Sequence, residues 1–136
     1  MDVISALQNR VSCALLKEPG PDKEQIEIML RAAVRAPDHA MLKPWRFLLI
    51  EGEARHKLGE LLVQATVDAK PESDAAALEK ARRKPLRAPT IIVVIASPVE
   101  HPKVPEIEQI ITAGAAANNL VTAAFALGLG AYWRTG

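Results

Sequence analysis

The seven residues from Thr90 to Ala96, Thr-Ile-Ile-Val-Val-Ile-Ala, constrain the fold of this chain more than any other stretch. They are rich in β-branched side chains, which favour strands. They show almost no alternation between apolar and polar positions, and such a run suits a strand that is covered on both faces. The run therefore predicts a layered domain in which helices enclose a sheet.

Helices are predicted on both sides of this run. Asp22 followed by Gln25 has the pattern of a capping box, and Pro37 ends the helical periodicity that follows. Pro105 suits a helix start, and Gly128 suits the residue just after a helix end. The long segment between them is apolar nearly all round, which predicts that it is buried. The predicted helices are residues 2–9, the segment after Asp22, 53–68, 73–84 and the segment from Pro105 to Gly128.

Three strands are predicted, at 45–50, 90–96 and 130–134. Together with the helices they indicate an α+β fold with three α-β-α layers. We find no internal repeat and no linker, which predicts a single domain over residues 1–136. The third strand lies close to the last residue and leaves a sheet edge with unpaired backbone groups. We therefore expect that the C-terminal part of the domain is missing, or that a partner covers this edge.

Composition excludes several classes of protein. The net charge of +1 argues against a nucleic-acid binder that depends on a strong positive field. The single cysteine, Cys13, rules out an internal disulfide and a cysteine-rich metal site, and no metal is expected. The apolar stretch from Ile110 to Tyr132 consists mostly of small residues, which favours a buried helix over a membrane span. No secretory signal is visible, so the cytoplasm is the expected compartment.

The common catalytic and nucleotide-binding motifs are absent. There is no G-x-G-x-x-G, no G-x-x-x-x-G-K-[ST], no H-E-x-x-H and no C-x-x-C. The three histidines do not form a Ser-His-Asp grouping, and His56 and His101 lie in surroundings typical of solvated residues. An enzyme whose chemistry belongs to a bound cofactor needs no acid-base set of its own. The sequence therefore predicts a cofactor protein or a non-enzyme, with no catalytic side chain.

Two basic segments have the residues of a ligand site. Arg10 and Ser12 lie two positions apart, so in an extended backbone their side chains point the same way and can hold one phosphate. The segment from Arg35 to Trp45 is a stiff loop between two prolines, where Arg35 and His39 carry hydrogen-bond donors. The plainer interpretation of the first segment is an exposed helix end, and that of the second is a simple connector between helix and strand.

A third segment, Gly130 to Arg134, ends in an aromatic residue and an arginine. Trp133 beside Arg134 suits the flank of a planar ligand. The alternative is a core tryptophan with a surface arginine.

These segments, in this order, resemble the nitroreductase family of FMN proteins, and most closely a short subgroup of NAD(P)H nitroreductases. The subgroup carries R-x-S near residue 10, then R-A-P-D-H, P-W and G-x-x-W-R-[ST]-G. In this chain the matching residues are Arg10-Val11-Ser12, Arg35-Ala36-Pro37-Asp38-His39, Pro44-Trp45 and Gly130-Ala131-Tyr132-Trp133-Arg134-Thr135-Gly136. The resemblance covers residues 1–136.

The resemblance implies a nitroreductase-like fold with a mixed sheet and a homodimer with FMN at the subunit interface. The implied reaction passes hydride from NAD(P)H to a nitroaromatic, a quinone or a similar small acceptor, with neither nucleic acid nor membrane as partner. By similarity the cofactor-binding residues are Arg10, Val11, Ser12, Arg35, His39, Ala131, Tyr132 and Trp133. A nicotinamide contact is implied at Val121, Thr122, Ala123, Ala124, Phe125 and Ala126, where core packing of the helix is the competing interpretation.

The loop departs from the family pattern at two positions. Many members carry N-x-Q-P-W, and this chain has Met41 and Lys43 in place of the two amides. Lys43 is a candidate for placing positive charge beside the flavin.

Two rival functions remain: a non-catalytic dimeric binding protein derived from a flavoprotein fold, and a nucleotide-phosphate binder. The second would use the basic residues Lys80, Arg82, Arg83, Lys84 and Arg87, although such a run is usually a solvated face.

Overall fold

The structure is a computed structural model that describes residues 1–135. Two short 3-10 turns, His39–Met41 and Lys84–Arg87, accompany the main elements. All five predicted helices are confirmed, and so are the first two strands. The elements in chain order are α1 (Val3–Asn9), α2 (Lys23–Ala33), β1 (Trp45–Glu51), α3 (Glu53–Ala69), α4 (Ala75–Arg83), β2 (Thr90–Ala96) and α5 (Glu106–Ala126).

The two strands pair in opposite directions. At one end the hydroxyl of Thr90 donates to the carboxylate of Glu51 at 2.8 Å. At the other end the amide of Ser97 donates to the carbonyl of Pro44 at 3.0 Å. An antiparallel pair with five helices confirms the α+β class, whereas the mixed character of the sheet stays a prediction. Within residues 1–135 the side chains of β2 are half-buried, except for the exposed Ala96, so complete cover on both faces is not observed.

The third predicted strand is wrong. The described residues from Gly130 to Arg134 have no regular secondary structure, and Gly136 of this motif lies outside the described residues. One backbone hydrogen bond, from the amide of Cys13 to the carbonyl of Ala131 at 2.9 Å, connects the segment to residues 1–129. A strand needs a repeated ladder of such bonds with a neighbouring strand. Residues 1–135 contain no strand beside this segment that supplies such a ladder.

The chain forms two compact units. The first contains Met1–Ala14, Pro21–Leu48 and the residues from Val93 onward, and therefore includes α1, α2 and α5. The second contains Leu15–Gly20 and Leu49–Ile92, and includes α3 and α4. The single domain predicted over residues 1–136 stays a prediction.

In the first unit, α5 packs against α2 and α1 through small side chains. Ala33, Ala113 and Ala116 are all buried, so the backbones of the helices approach closely. The prediction that α5 is buried all round is wrong at its N-terminal half. Ile107 and Ile111 are exposed there, because in the described chain only one face of the helix meets α1 and α2.

Two helix-end predictions are confirmed. Asp22 accepts from the amide of Gln25 at 2.8 Å, and the side chain of Gln25 accepts from the amide of Asp22 at 3.0 Å. Gly128 has φ +81 just after α5, and its amide donates to Phe125. The amide of Leu129 donates to Ala124, which completes a Schellman motif. Local sequence is sufficient to end this helix.

The second unit is held by a close approach of α3 to α4. Gly59 of α3 is buried against the backbone of Arg82, and a methyl group at this position would overlap the Arg82 carbonyl oxygen. Leu61 and Ala65 of α3 are not buried against α4, since both residues are exposed. Leu61 lies about 200° around the helix from Gly59, at about 100° for each residue, and so faces away from α4.

The basic residues of α4 are partly neutralised by carboxylates. Arg82 donates to Glu60 at 2.7 Å and to Glu79 at 2.9 Å. The hydrogen bond from Arg82 holds the pKa of the Glu60 carboxyl below its ordinary value, and the same bond raises the pKa of the arginine. Such exposed pairs contribute little to stability. The two carboxylates nevertheless reduce the positive field around α4, which a nucleotide-phosphate binder would need.

Two features are absent from residues 1–135. The structure contains no helix that is both long enough and apolar enough to cross a membrane in that range. No cluster of three or more His, Cys, Asp or Glu side chains in the same range is placed to hold a metal ion.

Replacement of Gly59 by alanine is expected to destabilise the chain by about 1–3 kcal/mol, the usual cost of overpacking. The new methyl group meets a backbone oxygen, so α3 and α4 must separate. Urea denaturation measures the loss. Gly114→Ala is the matched control, because its methyl group would lie 3.8 Å from Trp133 at ordinary contact distance. That control is expected to be neutral or to stabilise α5 by up to about 1 kcal/mol. Equal losses in both variants would contradict the proposed close approach.

Candidate functional site

The Arg10-Val11-Ser12 segment follows directly on α1. Arg10 caps the helix with an extended backbone, at φ −57 and ψ 129. Its Nη1 donates to the hydroxyl of Ser12 at 3.5 Å, so the two side chains lie on the same side as the spacing predicted. Val11 between them is exposed. A cation and a hydroxyl therefore lie side by side at the surface, which is a donor set that suits a phosphate.

A backbone hydrogen bond joins this segment to the aromatic segment near the end of the chain. The amide of Cys13 donates to the carbonyl of Ala131 at 2.9 Å. Tyr132 and Trp133 follow immediately, and the two side chains are 44% and 50% exposed. The plain interpretation of Trp133 as a core residue therefore does not hold in the described chain. The first and third segments are neighbours in one compact unit.

Arg134 and Gly114 define the surroundings of the two aromatic rings. The guanidinium carbon of Arg134 lies 5.6 Å from the centroid of the Tyr132 ring, within the range of a cation–π contact. One edge of the Trp133 ring lies over α5 at Gly114, 3.8 Å from the position that a methyl group on this residue would occupy. The rest of the indole stays accessible.

The loop between α2 and β1 has a strained backbone. Ala40, Met41 and Lys43 have φ values of 62, 53 and 50, in the left-handed region that side chains disfavour. Each such residue costs on the order of 1–3 kcal/mol, and such residues cluster at ligand sites. The carboxylate of Asp38 offsets part of this strain, because it accepts from the amide of Leu42 at 3.2 Å and from that of Lys43 at 2.8 Å.

A polar stripe on α5 holds the same region. Glu108 accepts from Nδ1 of His39 at 3.0 Å, and the hydroxyl of Thr112 donates to the carbonyl of Pro37 at 3.0 Å. Asn119 donates to the carbonyl of Ala32 at the end of α2, at 3.1 Å. None of these three residues was predicted from the sequence. Their spacing of i, i+4 and i+11 places them on one face of the helix, and this shared face is the sequence signal that could have identified them.

The eight predicted cofactor-binding residues form two groups within one chain. Arg10, Val11 and Ser12 lie beside Ala131, Tyr132 and Trp133. His39 belongs to the loop that Glu108 and Thr112 hold, and Arg35 is exposed just before it. Thr112 and Gly114 are separated by about 200° around α5, at about 100° for each residue. The loop and the indole therefore contact different faces of this helix.

The predicted nicotinamide segment forms the last turns of α5. Within Val121–Ala126, Ala124 is buried, and the hydroxyl of Thr122 donates to the carbonyl of Asn118 at 2.9 Å. The one hydroxyl of the segment is therefore bonded within its own helix. Packing explains this stretch without a ligand, and nicotinamide binding there stays a prediction.

The described part of the first unit also has a cavity of about 350 Å³ away from these segments. It lies between the loop after β2 and the start of α5. Buried Gln109 shapes this loop by hydrogen bonds to both backbone groups of Val99, at 2.8 and 2.9 Å. The lining residues are Pro98, Val99, Glu100, His101, Val104, Pro105 and Glu106. The cavity coincides with none of the predicted site residues.

Comparisons with known proteins agree on one family. A model described as the nitroreductase family matches residues 7–136. The Escherichia coli K12 protein named "Putative NAD(P)H nitroreductase YdjA" is 46% identical over 136 residues, which is 100% of this chain and 73% of that protein.

Solved structures show the same fold. A nitroreductase-like family protein from Bacillus cereus superposes with a TM-score of 0.80 at 24% identity, over 100% of this chain and 71% of that one. A protein from Desulfovibrio desulfuricans, described as a "putative nitroreductase in complex with FMN", gives 0.72 at 26% identity, over 98% and 67%. The nitroreductase-like fold is therefore confirmed.

Substitution of Asp38 by alanine is expected to lower the free energy of unfolding by about 1–2 kcal/mol, as for the loss of a side-chain cap. Leu42 and Lys43 would lose their acceptor while the backbone beside them remains strained. Asp38→Asn keeps one acceptor oxygen and is expected to lose about half as much. Thermal and urea unfolding measure the series. An alanine variant as stable as the parent chain would show that the carboxylate does not hold the loop.

Proposed function

Because the chain belongs to the nitroreductase family, we propose that it is an NAD(P)H-dependent flavin oxidoreductase that uses FMN. The observation that carries the assignment of the site is the hydrogen bond between Cys13 and Ala131. It places a cationic and hydroxyl donor pair next to accessible aromatic rings. A phosphate joined to a planar ring system needs these two surfaces side by side.

The residues present suit FMN by their chemistry. Arg10 and Ser12 supply one charged and one neutral donor for the phosphate. Tyr132 and Trp133 offer partly exposed rings to border the isoalloxazine. Arg35 and His39 carry donors suited to the oxygen atoms of a flavin ring.

When bound, FMN supplies the hydride chemistry between NAD(P)H and the acceptor. The side chains of this chain bind and orient, and none is proposed as a catalytic acid or base. The strained loop presents His39 and the exposed Lys43 from a backbone fixed by Asp38.

We extend the proposal to a nitroaromatic or quinone as acceptor. We also extend it to the cytoplasm as the compartment, where NAD(P)H is regenerated.

A homodimer follows from the same proposal. The two groups of site residues contact different faces of α5, which supports a site in which one flavin meets the first group of one chain and the second group of its partner. Large apolar side chains are available to pair the copies. They are exposed on α1 at Val3, Ile4 and Leu7, and on α5 at Ile107, Ile110 and Ile111. Clusters of exposed apolar side chains on a helix are typical of interaction sites.

The alternative function is a non-catalytic dimeric binding protein with the same fold. Met41 and Lys43 favour it, since these side chains replace the amides of the family pattern. The two functions differ in one property, because the enzyme binds FMN and the purified protein would absorb as oxidised flavin does. A colourless chain that takes up no FMN on titration would favour the alternative.

Arg10→Ala is expected to weaken FMN binding by about 10- to 100-fold. A hydrogen bond to a charged group contributes roughly 1.5–3 kcal/mol, which corresponds to that range. Quenching of flavin fluorescence on titration measures the dissociation constant. Arg31→Ala is the control, because this exposed arginine pairs with Glu27 on α2 and lies outside both groups of site residues. Equal affinity in the Arg10 variant and the parent chain would overturn the phosphate assignment.

Ile111→Lys is expected to weaken dimer formation at least tenfold. Desolvation of an unpaired charge costs on the order of several kcal/mol, so this estimate is a lower bound. Sedimentation velocity over a concentration series measures the change, and FMN affinity is expected to fall with it. Leu61→Lys is the matched control, because Leu61 is 67% exposed and Ile111 is 64% exposed. A dimer that tolerates the Ile111→Lys substitution would place the interface elsewhere.

A further inference from the structure

A hydrogen bond between His39 and Glu108 joins two parts of the chain that are 69 positions apart. Nδ1 of the imidazole lies 3.0 Å from Oε2 of the carboxylate, and the two side chains are 59% and 50% exposed. Both residues belong to the first compact unit. The pair is a tertiary contact. The position of Glu108 near the start of α5 does not by itself explain why its carboxylate meets His39.

The chemistry of a carboxylate decides which nitrogen of the ring carries the hydrogen. An ionised carboxylate only accepts, so Nδ1 must donate to it. In the neutral ring, Nε2 is then left as an acceptor, and in the protonated ring it is left as a donor. Among residues 1–135, Glu108 is the hydrogen-bond partner of the His39 ring, so Nε2 is the ring nitrogen available to a ligand.

The backbone around His39 is fixed from the same helix. Thr112, one turn after Glu108, donates to the carbonyl of Pro37, two residues before the histidine. The left-handed residues Ala40 and Met41 follow the histidine directly. The ring therefore extends from a loop that α5 holds at two points, and its orientation depends on both.

We propose that Glu108 is a positioning residue, which holds Nδ1 of His39 against α5 and leaves Nε2 as the atom that meets the cofactor. The proposal rests on the proposed function, because contact between His39 and FMN is part of that function. Glu108 itself touches neither cofactor nor substrate in this scheme. Its effect is to select one tautomer and one orientation of the ring.

The first experiment needs no flavin. Chains labelled with ¹⁵N-histidine are compared in mildly alkaline solution, where imidazole is neutral, by long-range ¹H–¹⁵N correlation spectra that report the tautomer of each ring. The missing signals of His39→Ala identify those of His39. The parent chain is expected to show the Nδ1–H form at His39, and Glu108→Ala is expected to show a mixture.

Glu106→Ala is the matched control for this experiment. It removes the same charge from the same first turn of α5, and His39 bonds to Glu108 and not to Glu106 in the described chain. The control is expected to leave the His39 tautomer unchanged. A His39 signal that is the same in the Glu108 variant and the parent chain overturns the proposal, and so does an equal change in both glutamate variants.

The second experiment measures FMN binding by fluorescence titration. Glu108→Ala is expected to weaken binding about two- to fivefold, because exposed pairs contribute up to about 1 kcal/mol. Glu108→Gln keeps an acceptor oxygen for Nδ1–H and is expected to restore most of the affinity. In the His39→Ala background, removal of Glu108 is expected to have no further effect.

The outcomes of the two experiments separate the two proposals. A changed tautomer together with weaker, His39-dependent FMN binding supports the positioning role. A changed tautomer with unchanged FMN affinity overturns it and leaves the pair as a purely structural contact. Absence of FMN binding in the parent chain overturns the proposed function and the positioning role with it. The tautomer spectra distinguish that case, because they are obtained without flavin.

Discussion

The close packing of α5 is the constraint on which the first unit of this structure depends. Its buried face consists mainly of alanines, such as Ala113, Ala116 and Ala124, and these allow α2 to approach its backbone. A larger residue at any of these positions would separate the helices and lose contacts that dispersion and apolar burial supply. The carbonyl groups at the end of α2 and in the following loop come within reach of side chains on α5 because the helices lie this close.

The polar stripe of α5 converts this packing into a defined loop. Glu108, Thr112 and Asn119 each bind a group between Ala32 and His39. The strained backbone that follows persists because its surroundings determine it more strongly than local preference does. Asp38 contributes from within the loop, and α5 contributes from outside it. A ligand-binding loop that is held before the ligand arrives loses less entropy on binding.

The distribution of exposed apolar side chains and the division of the site have a common explanation in the proposed homodimer. Isoleucines at the start of α5 and apolar residues of α1 face outward, while the alanine face is buried. The two groups of candidate site residues contact different faces of the same helix. Pairing of two chains through these surfaces would bury the apolar residues and combine the groups. Stability and cofactor binding would then depend on the same contact.

The sequence by itself determined the features that depend on neighbours along the chain. The capping box at Asp22, the Schellman motif at Gly128 and the bounds of β2 all follow from local rules, and the motifs were sufficient to indicate the family. Local rules predicted a strand at residues 130–134, where none forms, because a strand exists only with a partner beside it. Nor did they indicate the pair between His39 and Glu108 or the bond between Cys13 and Ala131. Those contacts join residues far apart in sequence, and only the packing of α5 and the path of the chain around it decide which distant groups meet.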